Sequence, residues 1–85
     1  MQQGVEMDLK KTPYWNIYAD IFNYFKASMP VQNTDEYWDK VEKGGEALSA
    51  KYTGTEQSEF VVCEIINIQK ELTRIWQEQK KTASA

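Results

Sequence analysis

Apolar and polar positions along the chain fall into three segments of helical period, separated by short groups of turn residues. In the first segment, at ~100° per residue, Tyr24, Ile17, Ile21, Tyr14, Phe25, Tyr18, Phe22 and Trp15 sweep in that order through roughly half the circumference. Asn16, Asp20, Asn23 and Lys26 occupy the remainder. Thr12 is an acceptable N-cap, and Pro13 suits the first helical position because its missing N–H has no partner there. Pro30 disfavours the α region for Met29, so the spacing predicts a helix over 13–28. Tyr14, Tyr18, Ile21 and Phe25, at the middle of the apolar arc, are expected in the core, while Trp15 and Tyr24 mark its margins.

The second segment has a start signal at Asn33 or Thr34, followed by Asp35 and Glu36, whose charges suit the positive end of a helix dipole. With Asn33 as cap, Glu36 would complete a capping-box-like arrangement. Tyr37, Val41, Leu48 and Tyr52 continue at helical spacing with Trp38 on their shoulder, predicting a helix over 34–53 that ends at Gly54. Gly44 and Gly45 sit in its middle, where each costs about 1 kcal/mol relative to alanine. Two readings are open: the missing side chain at Gly45 lets a bulky aromatic from the first helix approach closely, or the pair kinks or breaks the helix.

The third segment, predicted over 56–79 with Thr55 as its cap, is the longest. Val61, Ile65, Ile68, Leu72, Ile75 and Trp76 form its stripe, Val62 and Ile66 widen it, and Lys70, Arg74, Lys80 and Lys81 gather toward its C-terminal end. Three amphipathic helices joined by short turns predict an all-α three-helix bundle in antiparallel up-down-up order. The whole chain, 1–85, is expected to form one domain with flexible ends over about 1–11 and 81–85. A chain of 85 residues buries only about 60–65% of its unfolded surface, so its 11 aromatic side chains have to supply much of the core.

Charge and chemistry narrow the function classes. The formal charge of −3 argues against sequence-independent nucleic-acid binding, which needs a diffuse positive field. No run approaches the roughly 18 apolar residues of a membrane span and positions 1–11 lack a signal-peptide core, so a cytoplasmic protein without membrane attachment is expected. The single cysteine, Cys63, has apolar sequence neighbours and is expected as a buried thiol. Histidine is absent, which removes the commonest general base and the commonest transition-metal ligand together. Asp35, Asp39, Glu42 and Glu46 line one side of the second helix, but with Lys40 and Lys43 among them they read as a solvated face rather than a calcium site. No catalytic, cofactor-binding or metal-ligating residue is therefore assigned, and the chain is expected to be non-enzymatic.

Two binding functions remain. Lys70, Arg74 and Lys81 can share a side of the third helix, which permits a small DNA-binding regulator with a helix-turn-helix-like core, although Glu71 and Glu78 interrupt that side. Protein recognition or self-association fits better, because so small a bundle has difficulty covering a half-circumference aromatic face. Trp15, Tyr24, Trp38, Val62 and Ile66 are the expected interaction surface. Met29-Pro30-Val31, Asp35-Glu36-Tyr37-Trp38-Asp39-Lys40 and the long apolar third segment, within positions 25–76, resemble small helical proteins encoded by bacteriophages and prophages of Gram-positive bacteria. That resemblance implies an intracellular helical accessory protein and carries no active residues to transfer.

Overall fold

The computed structural model describes residues 8–84, with side-chain environments through residue 82. Three helices, α1 (Pro13–Ala27), α2 (Asp35–Lys51) and α3 (Ser58–Ser84), form a small all-α bundle in up-down-up order, and no strand occurs among the described residues. A short 3-10 turn, Leu9–Lys11, precedes α1, and Asp8 caps it by accepting from the Lys10 amide. Part of the expected flexible N-terminal end thus has regular structure, whereas 1–7 lie outside the described residues. At the other end α3 continues through Ser84, five residues past its expected end at 79, and residue 85 lies outside the described residues.

Local signals account for most boundaries. Pro13 opens α1, and the Ser28 hydroxyl closes it by donating to the Tyr24 carbonyl at 2.9 Å. The Met29–Pro30 peptide bond is cis. Thr34, rather than Asn33, caps α2: its hydroxyl accepts from the Tyr37 amide at 3.1 Å. That register puts Glu36 one residue too early to reach back, so the capping box does not form. Gly54 carries the chain out of α2 at φ 87°, a conformation glycine tolerates without strain. Thr55 does not cap α3. Its hydroxyl donates to the Tyr52 carbonyl at 2.7 Å, which prolongs the turn and delays the helix start to Ser58.

Helix α2 is continuous through Gly44 and Gly45. An added Cβ on Gly45 would lie 2.7 Å from Gln69 Nε2, 3.0 Å from Ile65 Cγ2 and 3.1 Å from Tyr24 Oη. The glycine pair is therefore a contact point at which α1 and α3 approach the α2 backbone, and not a hinge.

The core has two adjoining parts. Ile17, Ile21, Leu48, Val61 and Ile65 form one, and Val31, Val41 and Leu72 the other; the partly buried Tyr24 and Ile68 pack against both. On α1 this corrects the expected centre of the apolar arc. Ile17 is fully buried and Ile21 nearly so, while Phe25 is half-buried, Tyr14 lies at the exposed edge and Tyr18 is 52% exposed. The arc is rotated toward Tyr24, because the side that meets both other helices is the one carrying the two isoleucines. Cys63 is exposed, not buried. Two positions along a helix is about 200° of rotation, so the apolar residues beside it in sequence, Val61 and Ile65, face away from it.

Candidate functional site

Geometry redistributes the expected surface residues. Tyr24 is not at a free margin: it is half-buried, its hydroxyl donates to the Val41 carbonyl at 2.7 Å, and it accepts from Gln69 Nε2 at 3.1 Å. One side chain thus ties α1 to both other helices. Burial pushes the Tyr24 phenol above its ordinary value, only partly countered by the Gln69 bond, so the proton that holds Val41 is retained. Trp38 is likewise half-buried, set edge-on to Tyr37 at 4.8 Å and to Trp76 at 6.4 Å between ring centres. Neither stands on a free surface, since Tyr24 is held by its bonds with α2 and α3 and Trp38 by its packing on Tyr37 and on Trp76 of α3.

What stays uncovered lies mainly along the outer side of α1. Trp15 is 46% exposed and Phe22 62% exposed, and with Tyr14 and Tyr18 they form a strip spanning more than two turns. Tyr14 and Tyr18 lean edge-on against Phe60 of α3 at 5.5 and 6.0 Å, which fixes the strip to the bundle, and Lys10 Nζ lies 5.5 Å from the Trp15 ring centre. Phe22 and Tyr18 were not singled out by sequence reasoning as exposed. The signal was present for Phe22, which lies about 20° from Trp15 in helical projection.

A second uncovered apolar area belongs to α3. Val62 and Ile66 are 36% and 44% exposed. With Ile65, Gly45 and the carboxylates Glu42 and Glu46 they line a shallow groove of about 430 Å³ between α2 and α3, in which α1 has no part. A third depression, of about 750 Å³, lies between the end of α1, the 28–34 connection and α2, lined by Tyr24, Met29, Pro30, Tyr37, Lys40 and Gly44 among others. Its phenols are already committed, since Tyr37 Oη donates to the Ser28 carbonyl at 2.7 Å and Tyr24 Oη to Val41. Gln32, Glu36 and Lys40 also line it, and none of these three side chains makes a hydrogen bond or salt bridge among the described residues.

Four salt bridges pair charged groups among the described residues. Asp39 bridges Lys43 at 3.0 Å, and Glu71 holds Arg74 through two bonds of 2.9 and 2.7 Å. Lys81 lies 3.8 Å from Glu78, so two of the three cations on the basic side of α3 already face carboxylates of their own helix. In the middle of α1, Asp20 accepts from Lys51 Nζ at 2.7 Å and from Tyr52 Oη at 2.6 Å. Burial pushes the Asp20 carboxyl up, but these two donors outweigh it and hold it below its ordinary value. Burial and the Asp20 carboxylate together push the Tyr52 phenol up to about 12. Among the described residues no group of three or more histidine, cysteine or carboxylate side chains is placed to hold a metal ion, and no helix is long and apolar enough to cross a membrane.

No protein-family model, curated protein or solved structure matches the chain.

Proposed function

We propose that the chain is a non-enzymatic protein–protein interaction module, an accessory factor of the phage or prophage kind that works in the cytoplasm through the outer face of α1. The observation that carries this reading is the contiguous exposure of Trp15, Tyr18 and Phe22 on a helix whose inner face is already satisfied by Ile17, Ile21 and Tyr24. Half-exposed aromatics of about 200 Å² each leave on the order of 300 Å² of apolar surface on these three side chains alone, in the range of patches that mark binding sites. Tryptophan and other aromatics are also the side chains that dominate binding energy once water is removed. A single exposed thiol, Cys63, suits a reducing compartment.

The experiment is site-specific photocrosslinking in the organism of origin. A photoreactive residue replaces Phe22, and in a control it replaces Gln77, an exposed residue of α3. A discrete adduct with protein is expected from position 22 and not from 77, and it should be lost when Trp15→Ala is added. Absence of a discrete adduct at position 22 would overturn the reading.

A further inference from the structure

The two uncovered apolar areas differ in form and in charge, and the differences match. The α1 strip is convex. Within its span from Tyr14 to Phe22 the outward residues carry no charge, since Asp20, the one acid there, is turned to Lys51 and Tyr52. Lys10 and Lys11 precede the strip and Lys26 follows it, and none of the three forms a salt bridge among the described residues; Asp8 binds the Lys10 amide rather than its ammonium. Lysines therefore bracket an aromatic ridge about 12 Å long. The α2–α3 groove is the inverse. Val62, Ile65 and Ile66 give it an aliphatic side on α3, Ser49, Thr53 and Gln69 add polar groups to its lining, and Glu42 and Glu46 stand on its α2 rim without a salt bridge among the described residues. Of the cations nearby, Lys43 is bound to Asp39, and Lys70 lies one turn beyond Ile66, outside the groove lining.

The geometry points to a second copy of this chain as the occupant: the aromatic ridge of α1 from one copy seats in the α2–α3 groove of the next, with lysines of the ridge against Glu42 and Glu46. This rests on the reading of α1 as an interaction face and names its partner. Pairing two ridges symmetrically is the poorer solution, because antiparallel α1 helices would bring Lys26 of each against Lys11 of the other. Apolar contact supplies the attraction and opposite charge sets the register, since like charges suppress the competing pairing. The contact is heterologous, so a bound pair still presents one free ridge and one free groove, and assembly continues to a ring or an open chain.

Sedimentation equilibrium of the full chain, up to about 1 mM where interfaces this small still register, tests the proposal. Two variants are used, Phe22→Glu to disable the ridge and Ile66→Lys to disable the groove, each checked for unchanged helicity and thermal unfolding. Because both positions are solvent-exposed, folding should survive; if either variant unfolds, Phe22→Ala and Ile66→Ala replace them. Wild-type mass is expected to rise with concentration past the dimer. Each variant alone should stay monomeric, and their equimolar mixture should reach a one-to-one dimer, twice the monomer mass, and stop there, since only one intact ridge and groove can meet. A monomeric wild type, association that survives Ile66→Lys, or a mixture that stays monomeric would each overturn it. A monomeric wild type that still crosslinks another protein through position 22 removes only the second copy as partner; the absence of any adduct removes the interaction reading as well.

Discussion

Gly45 shows how a single missing methyl group sets the spacing of three helices. Its replacement by alanine gains about 1 kcal/mol of intrinsic helix propensity. Against that, the new Cβ would stand 2.7 Å from Gln69 Nε2 and 3.0 Å from the buried Ile65 side chain. Overpacking of this kind costs about 1–3 kcal/mol. Gln69 cannot yield freely either, because its amide is bound to Tyr24. Gly45→Ala should therefore lower the free energy of unfolding in denaturant titrations despite its better propensity. The Asp20–Tyr52 pair gives a second prediction at this scale. Asp20 titrates below its ordinary value in the folded chain, so its contribution is present above the unfolded carboxyl value near 4 and is lost as pH falls through the lower folded value. Tyr52 works in the opposite direction: its raised value stabilises the fold fully below pH ~10, and that contribution disappears as pH rises from about 10 to about 12. Thermal unfolding followed against pH should show both slopes, with the Tyr52→Phe variant flatter on the alkaline side and Asp20→Asn flatter on the acid side.

At the scale of elements, sequence period and punctuation located all three helices, because proline, capping residues and the apolar repeat act locally and are visible in the chain. The cap of α2 can be tested alone. Thr34 satisfies one of the four amide groups that a helix start leaves without partners, so Thr34→Ala should cost about 1 kcal/mol and Asn33→Ala almost nothing, read from denaturation midpoints. The rotation of each helix was less legible. The apolar arc of α1 covers half the circumference, and no local rule says which part of so broad a face meets its neighbours. That choice was made by contacts distant in sequence: the bond from Tyr24 to Val41, its bond from Gln69, and the packing of Phe60 on Tyr14 and Tyr18. The same cause removed Trp38 from the expected surface, since its partner Trp76 lies on α3. Trp15, Val62 and Ile66 were placed at the edges of their stripes by sequence alone, and there the structure finds them exposed. Cys63 is exposed for a simpler reason, since helical phase, and not proximity in sequence to Val61 and Ile65, sets its direction.

At the scale of the whole molecule, the bundle is long and thin. Its radius of gyration is 16.2 Å, against about 12 Å for a compact chain of this size, and its smallest extent is 17 Å. Two causes are visible: α3 has 27 residues while α1 has 15 and α2 has 17, and the buried core is drawn from few side chains. A shape of this kind has a high ratio of surface to core, so aromatic residues introduced to stabilise a small domain are left partly outside it. The consequence is a division of labour within α1, the inner side holding the fold and the outer side free to bind. Comparing Ile17→Ala with Phe22→Ala by denaturant unfolding, in dilute protein, tests that division most directly. Ile17 is fully buried and should cost about 2–5 kcal/mol on truncation. Phe22, 62% exposed, should change stability by less than about 1 kcal/mol, helped by the better helix propensity of alanine. A loss at Phe22 as large as that at Ile17 would show that the outer face serves the fold, and would contradict the account.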